Sequence, residues 1–188
     1  MQEKLCHQVI TEDLFGDIKY VAGVDVGYSN DNRITQGAIA VLSFPELELK
    51  EQAIAQRPTS FPYIPGLLSF REIPAILDAF KKLNIIPDLL LCDGQGLIHP
   101  RRFGLACNLG VLVNIPSIGV AKSHYIGKYD AVGLEKGNWQ PLIYQEKVIG
   151  IPRLHARLLS RLPKSKSINP HQRGASTKGH SQELLRSY

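Results

Sequence analysis

Two short apolar runs in this chain each carry an aspartate near the C-terminal end, with glycine close behind. The first is Lys19 to Val26, where Asp25 sits inside Gly23-Val-Asp-Val-Gly27; the second is Asp88 to Asp93, followed directly by Gly94-Gln-Gly96. Runs of this length read as fully buried strands. A charged carboxylate on a buried strand costs several kcal/mol unless it is paired or ligates a cation. If the two strands are neighbours, the carboxylates meet at one sheet end. Hard oxygen ligands around open positions suit Mg²⁺, with water and substrate phosphate completing its shell. The competing reading gives each aspartate a turn or helix to cap. That accounts for either residue alone better than for both together at strand ends beside glycines.

The remaining segments supply a frame for those strands. Ile34 to Phe44 is another apolar run, bounded by Pro45, and Leu47 to Ala55 alternates apolar and polar residues. Turns such as Ser29-Asn-Asp-Asn32 join them, so the first three strands form an antiparallel meander. Ser60 to Gly66 contains Pro62 and Pro65 and reads as an irregular loop. Leu67, Phe70, Ile73, Leu77, Phe80 and Leu83 recur at helical spacing, which predicts a helix over 69–83 with Pro74 near its first turn. A second helix is expected over 101–114, then a buried strand over 115–121, with more strand near 141–144 and 147–149. The order β-β-β-α-β-α-β predicts an α/β fold: a mixed sheet, its antiparallel three-strand meander followed by βα crossovers, with helices on its faces. The ribonuclease-H-like layout has this order, as do other α/β folds.

Composition narrows the class. With 188 residues, 44% of them apolar, one core of ordinary size is expected. There is no apolar run long enough to span a membrane, and Met1 to Lys4 is polar, so a cytoplasmic protein without membrane contact is expected. Cys6, Cys92 and Cys107 have no metal-finger spacing and read as reduced core thiols. The net charge of +5 is unevenly distributed. Residues 151–188 hold eight lysines and arginines against the single Glu183, a net +7, leaving fourteen basic and sixteen acidic residues, −2, in residues 1–150. The basicity therefore says little about the body of the protein. Two parts are expected: a catalytic domain over 1–150, and a basic Ser/Arg/Pro-rich tail over 151–188, partly disordered beyond Pro163. Arg153, Arg157 and Arg161 with Leu154, Leu158 and Leu162 have the spacing of a short amphipathic helix.

Other residues join the candidate site, each with a plainer reading beside it. Glu72 is either a helix-start acid favoured by the macrodipole or a third site carboxylate. Lys122, just past a buried strand, is either a surface lysine or the charge that neutralises a phosphate. His99 is either a turn residue before Pro100 or a donor at the same sheet end. Ser60 to Leu68 sets apolar and aromatic groups on a Pro-framed loop, where loops are normally polar. Either Phe61, Tyr63 and Ile64 fold back on the core, or an aromatic there wedges between bases in place of a nucleotide taken from the stack.

Three blocks resemble the endonuclease V family. They are Val21-Ala-Gly-Val-Asp-Val-Gly27, then Pro62-Tyr-Ile-Pro-Gly-Leu-Leu-Ser-Phe-Arg-Glu72, then Asp88 through Lys122 with Asp93-Gly-Gln-Gly-Leu-Ile-His-Pro-Arg-Arg-Phe-Gly104. Gly137-Asn-Trp-Gln-Pro-Leu142 carries the similarity on to about Gly150. The resemblance implies a ribonuclease-H-like deoxyinosine-directed repair nuclease. Such an enzyme cuts at the second phosphodiester bond 3′ to the lesion and leaves 3′-hydroxyl and 5′-phosphate ends. It implies Mg²⁺, replaceable by Mn²⁺, on Asp25 and Asp93, with Glu72 as a third acidic residue and Lys122 at the scissile phosphate. Tyr63 corresponds to the wedge aromatic, flanked by Pro62, Ile64 and Pro65, while Gly94, Gly96 and His99 border the lesion pocket. The expected partner is inosine-containing DNA, or RNA in some relatives, and the expected state is a monomer.

The departure from the family pattern lies after Gly150. Members continue with a strand and a Ser-x-Gly-His motif opening a final helix, whose histidine joins the site. Here the nearest fragments are Ser167 to His171 and Ser176 to His180, neither in a strand-to-helix context. The second reading is thus a frameshifted or truncated remnant with impaired catalysis that at most binds nucleic acid. A third, an actin-like sugar kinase in which Asp25-Val-Gly27 belongs to a phosphate loop, needs two lobes and more chain than 188 residues.

Overall fold

The computed structural model describes residues 2–12 and 16–153. The chain opens with one helical turn, α1 (Gln2–Leu5), and a 3₁₀ turn (Cys6–Gln8). Strands β1 (Tyr20–Ser29), β2 (Ile34–Ser43) and β3 (Leu49–Pro58) then pair antiparallel in sequence order, which is the expected meander. The turn between β1 and β2 carries Asn30, Asp31 and Asn32 at φ of 50°, 51° and 64°, a left-handed backbone that Asn and Asp tolerate best among residues with side chains. Helix α2 (Leu68–Phe80), β4 (Leu89–Asp93), α3 (Leu105–Val113) and β5 (Ser117–Val120) complete the βα crossovers. The main sheet runs β3-β2-β1-β4-β5, with β1–β4 and β4–β5 parallel. This is the mixed α/β sheet read from the sequence. Strands β6 (Leu142–Tyr144) and β7 (Lys147–Gly150), the last among the described residues, form a separate antiparallel hairpin.

Alternation along the strands sorts the core into two faces. Ala22, Val24, Ile39, Val41, Leu90 and Cys92 share one face with Ile73, Ile76 and Ala79 of α2 and Leu105, Ala106 and Leu109 of α3. Among the described residues both long helices therefore lie on the same side. The opposite face holds Val21, Ala40, Leu42 and Leu91, with Ile18, Leu47 and Val120 against them. Each fully buried Ile or Leu contributes roughly 1.5–3 kcal/mol, so the helix-covered face supplies most of the stabilisation.

Helix α2 reaches the sheet at Gly37, where an added Cβ would stand 2.6 Å from the Ala75 carbonyl carbon. Its start at Leu68 moves Pro74 into the second turn, deeper than the first-turn position expected from sequence. A proline there has no N–H for the Phe70 carbonyl. Burial of Ile73 and Ile76, 5% and 0% exposed, offsets that loss. Helix α3 begins at Leu105 rather than near 101, because His99 to Arg102 forms a turn closed by the Arg102 N–H donating to the His99 carbonyl at 2.8 Å.

Residues 151–153 stay tied to the hairpin region: the Gln140 N–H donates to the Pro152 carbonyl at 3.1 Å, and Arg153 bridges Trp139. The tail beyond them, with its amphipathic spacing and with His171 and His180, lies outside the described residues. No helix among the described residues is long and apolar enough to cross a membrane. The cysteines are free thiols. Only Cys92 is a fully buried core thiol, while Cys6 and Cys107 are half-buried; burial pushes Cys92 up to about 12 and Cys107 up to about 11.

Candidate active site

The two aspartates of the apolar runs lie at matching positions on neighbouring strands. In the parallel pairing of β1 and β4, Val24 lies opposite Cys92, and Asp25 and Asp93 are the next residue on each strand. Neighbouring strands stand about 4.8 Å apart, and residues in register point to the same face. Beyond this point β1 continues alongside β2 to Ser29, while β4 ends at Asp93. The chain leaves β1 toward β2 on one side and leaves β4 through α3 toward β5 on the other. Diverging connections at the carboxyl ends of adjacent parallel strands open a crevice, the usual place for a ligand in such sheets. Asp25 Oδ1 accepts the Val26 N–H at 2.8 Å. The remaining aspartate of the second run, Asp88, has a different task. Its Oδ2 accepts the N–H groups of Lys19 and Tyr20, both at 2.9 Å, and fastens the start of β1 to β4.

Glu72 joins this field from α2. Because the helix starts at Leu68, Glu72 lies beyond the first turn, so the helix-start reading does not describe it. It is 7% exposed, and Tyr28 at the end of β1 donates its hydroxyl to Glu72 Oε1 at 2.9 Å. Burial pushes the Glu72 carboxyl up to about 7; the charges of Asp25 and Asp93 push the same way, while the Tyr28 hydrogen bond and Arg71 oppose them. Burial and Glu72 in turn hold the Tyr28 hydroxyl above its usual range. Three carboxyl groups thus share one electrostatic neighbourhood. Among the described residues, no three His, Cys, Asp or Glu side chains gather into a cage for an ion. A pair of carboxylates with a third nearby fits a cation that keeps much of its own water, as Mg²⁺ does.

Lys122 lies just past β5, its Nζ 3.5 Å from Asp93 Oδ2. Its side chain is 72% exposed, so the pair is a weak tether that leaves the ammonium free to meet a phosphate. The loop after Asp93 is packed backbone to backbone. A Cβ on Gly94 would meet Leu105 Cδ2 at 2.9 Å, one on Gly104 would collide with the Gln95 carbonyl, and one on Gly119 with the Gly96 nitrogen. Gly96 differs. A Cβ there would make ordinary contacts with the Gly119 nitrogen at 3.7 Å, Cys107 Sγ at 3.8 Å and Ala106 at 3.9 Å, so packing does not demand glycine at this position.

The aromatic loop divides its residues between core and solvent. Phe61 packs on Phe70 with ring centroids 5.7 Å apart, and its carbonyl accepts Arg71 Nη1 at 3.0 Å. Tyr63 and Ile64 point outward, 64% and 40% exposed. Pro62 and Pro65 are exposed beside them. At its far end, Gly66, with φ of 79°, presents its carbonyl to Gln2 Nε2 at 3.2 Å and to His99 Nε2 at 3.1 Å. His99 is 4% exposed and accepts the Arg101 N–H on Nδ1 at 3.2 Å, which leaves Nε2 as the donor to Gly66. Burial, with Arg101 nearby, holds its pKa below the usual histidine value. His99 is thus a neutral pin that sets the loop in place.

Two residues of the site escaped the sequence reading. Tyr28 orients Glu72, and Arg71 stacks its guanidinium 4.6 Å from the Tyr28 ring centroid while holding the Phe61 carbonyl. The alternation that puts Val24 and Val26 on the helix-covered face puts Tyr28 there as well, and that signal was present in the sequence.

Comparison with known proteins agrees with the fold and the motifs. The endonuclease V family profile matches residues 3–158. Endonuclease V of Rippkaea orientalis is 61% identical over 151 residues, which are 80% of this chain and 66% of that protein. The crystal structure of endonuclease V from Streptomyces avermitilis superposes with a TM-score of 0.75 at 40% identity, covering 81% of this chain and 68% of that one. Endonuclease V of Ciona intestinalis, solved in complex with a 24mer DNA containing an inosine followed by a ribo-adenosine, is 38% identical with a TM-score of 0.60, over 66% of this chain and 56% of that one. The chain spans about two thirds of the length of the curated relatives it matches, 66% and 68% for two of them. It belongs to the endonuclease V family.

Proposed function

We propose that this protein is a Mg²⁺-dependent endonuclease that nicks inosine-bearing strands at the second phosphodiester bond 3′ to the lesion. The observation that carries the reading is the placement of Asp25 and Asp93 one residue beyond the Val24–Cys92 pair on neighbouring parallel strands, with Glu72 in their field. Asp25 and Asp93 would hold the ion, which when bound supplies charge to orient a phosphate and to lower the pKa of water. Lys122 adds a mobile positive charge beside Asp93 for the scissile phosphate. Glu72, its proton equilibrium moved to about 7 and its orientation set by Tyr28, is suited to accept or return a proton near neutrality. The exposed ring of Tyr63, on a loop pinned at Phe61 and Gly66, suits insertion into a base stack. Pro62, Ile64 and Pro65 frame the inserting ring, and the Gly94 to His99 loop beside Asp93 would border the displaced base.

The test is nicking of an end-labelled duplex carrying one deoxyinosine, with Mg²⁺, with Mn²⁺ and with EDTA, beside the same strand in RNA. The expected result is a single nick that requires the metal and is absent in Asp93→Ala. No nicking above the Asp93→Ala background on either substrate would reject the enzyme in favour of a remnant that only binds nucleic acid.

A further inference from the structure

The segment leaving β5 starts at the site and is tied down at both ends. Near the site, Lys122 Nζ lies 3.5 Å from Asp93 Oδ2, and Gln95 Nε2 donates to the Ser123 carbonyl. At the far end, Lys128 and Ile143 exchange backbone hydrogen bonds of 2.9 and 2.8 Å. Gly127, at φ of 95°, lies so close to the hairpin that a Cβ would stand 2.9 Å from Leu142 Cγ, so the turn before this anchor requires glycine. The segment is a strap, held at both ends.

On this strap Tyr125 and Tyr129 are 52% and 43% exposed. Each meets a histidine edge-on: His99 and Tyr125 with centroids 6.3 Å apart at 64°, His124 and Tyr129 at 5.4 Å and 78°. His99 is also the residue that pins Gly66, so Tyr125 is one side chain removed from the Tyr63 loop and three residues from Lys122. Single exposed tyrosines need no explanation. Two of them, each buttressed by an imidazole and interleaved with lysines along eight residues that begin at Asp93's own partner, have the chemistry that grips unpaired nucleic acid. Cations follow the backbone, and flat rings take bases of any identity.

We propose that residues 122–129 form a stacking shelf for an unpaired nucleotide flanking the cleavage position, with Tyr125 as the main platform and Lys128 beside the phosphate. The inference rests on the nucleic-acid reading of the neighbouring site but needs neither its preference for inosine nor its catalysis. Stacking is indifferent to base identity, so the shelf strengthens binding equally with and without the lesion.

The experiment is fluorescence anisotropy of the full chain with labelled single strands of about 12 nucleotides, a span such surfaces cover. One strand carries an inosine and the other adenine at that position, and Ca²⁺ replaces Mg²⁺ to keep them uncut. Tyr125→Ala is expected to raise Kd about tenfold on both strands, equivalent to about 1.4 kcal/mol, and Tyr125→Phe to return it to within about twofold of wild type. An unchanged Kd for Tyr125→Ala, a loss confined to the inosine strand, or failure of Tyr125→Phe to restore binding overturns the shelf. If wild type binds both strands alike and Tyr125→Ala weakens both, the shelf stands and the inosine reading falls. If wild type prefers inosine and Tyr125→Ala changes nothing, the reverse holds. Absence of binding by wild type overturns both.

Discussion

Glu72→Gln isolates the electrostatics of the site from its shape. The substituted amide keeps an oxygen for the Tyr28 hydroxyl, which donates to Glu72 Oε1 at 2.9 Å, and removes only the titration. In the folded, metal-free protein the Glu72 carboxyl is raised from 4.5 to about 7, first by burial and then by Asp25 and Asp93. The unfolded chain releases this proton near 4.5, whereas the folded protein keeps it until about 7. Between those values the folded state binds more protons, so its stability falls as pH rises. At about 1.4 kcal/mol per pH unit, the interval amounts to about 3 kcal/mol, fully present as a penalty above the folded value and absent below the unfolded one. Urea unfolding in EDTA at pH 5 and at pH 8, on wild type and Glu72→Gln, measures it. The variant is expected to be more stable than wild type by about 3 kcal/mol at pH 8 and by about 1 kcal/mol at pH 5. Mg²⁺ should shrink the gap at pH 8, since a cation near Asp25 and Asp93 opposes the charges that raise Glu72. Parallel pH profiles for the two proteins would refute the reasoning, because Glu72 would then ionise alike folded and unfolded.

Two further substitutions test separate parts of the account. Tyr63→Ala should reduce discrimination between inosine and plain duplex in a nicking assay while leaving divalent-ion affinity unchanged; equal loss on both substrates would argue against insertion. Gly37→Ala should destabilise the fold by about 1–3 kcal/mol in urea, since its Cβ meets the α2 backbone at 2.6 Å and only movement of the helix relieves the overlap.

How much was legible in the sequence depended on range. The strands were readable because their apolar runs are continuous or strictly alternating, and the Asn30 to Asn32 turn because few side chains accept that backbone. The placement of Asp25 and Asp93 on adjacent strands follows from two matched local patterns and needs only the β1–β4 neighbour relation. What was not legible depended on contacts between distant segments. Glu72 looks like a helix-start acid until α2 is placed on β2 through Gly37, which brings the carboxyl under Tyr28. His99 is the turn residue that the sequence suggests, but its second task, holding the Gly66 carbonyl through Nε2, depends on a segment 33 residues away. The expected start of α3 at 101 falls short because no local signal in residues 101–104 shows the turn that His99 and Arg102 close, or that Gly104 must first pass under the Gln95 carbonyl. The aromatic loop divides, with Phe61 packed on Phe70 and Tyr63 exposed, a division that composition alone does not make.

The central claim is that Asp25 and Asp93 together hold one divalent ion. Titration of Mn²⁺ into the nucleic-acid-free protein, followed by electron paramagnetic resonance, measures this directly on wild type, Asp25→Asn and Asp93→Asn. One site is expected in wild type, weakened about tenfold or more by either substitution, since each removes one of the site's two proposed carboxylate ligands. Wild-type affinity retained in both variants, or two independent sites of which each substitution removes one, would contradict it.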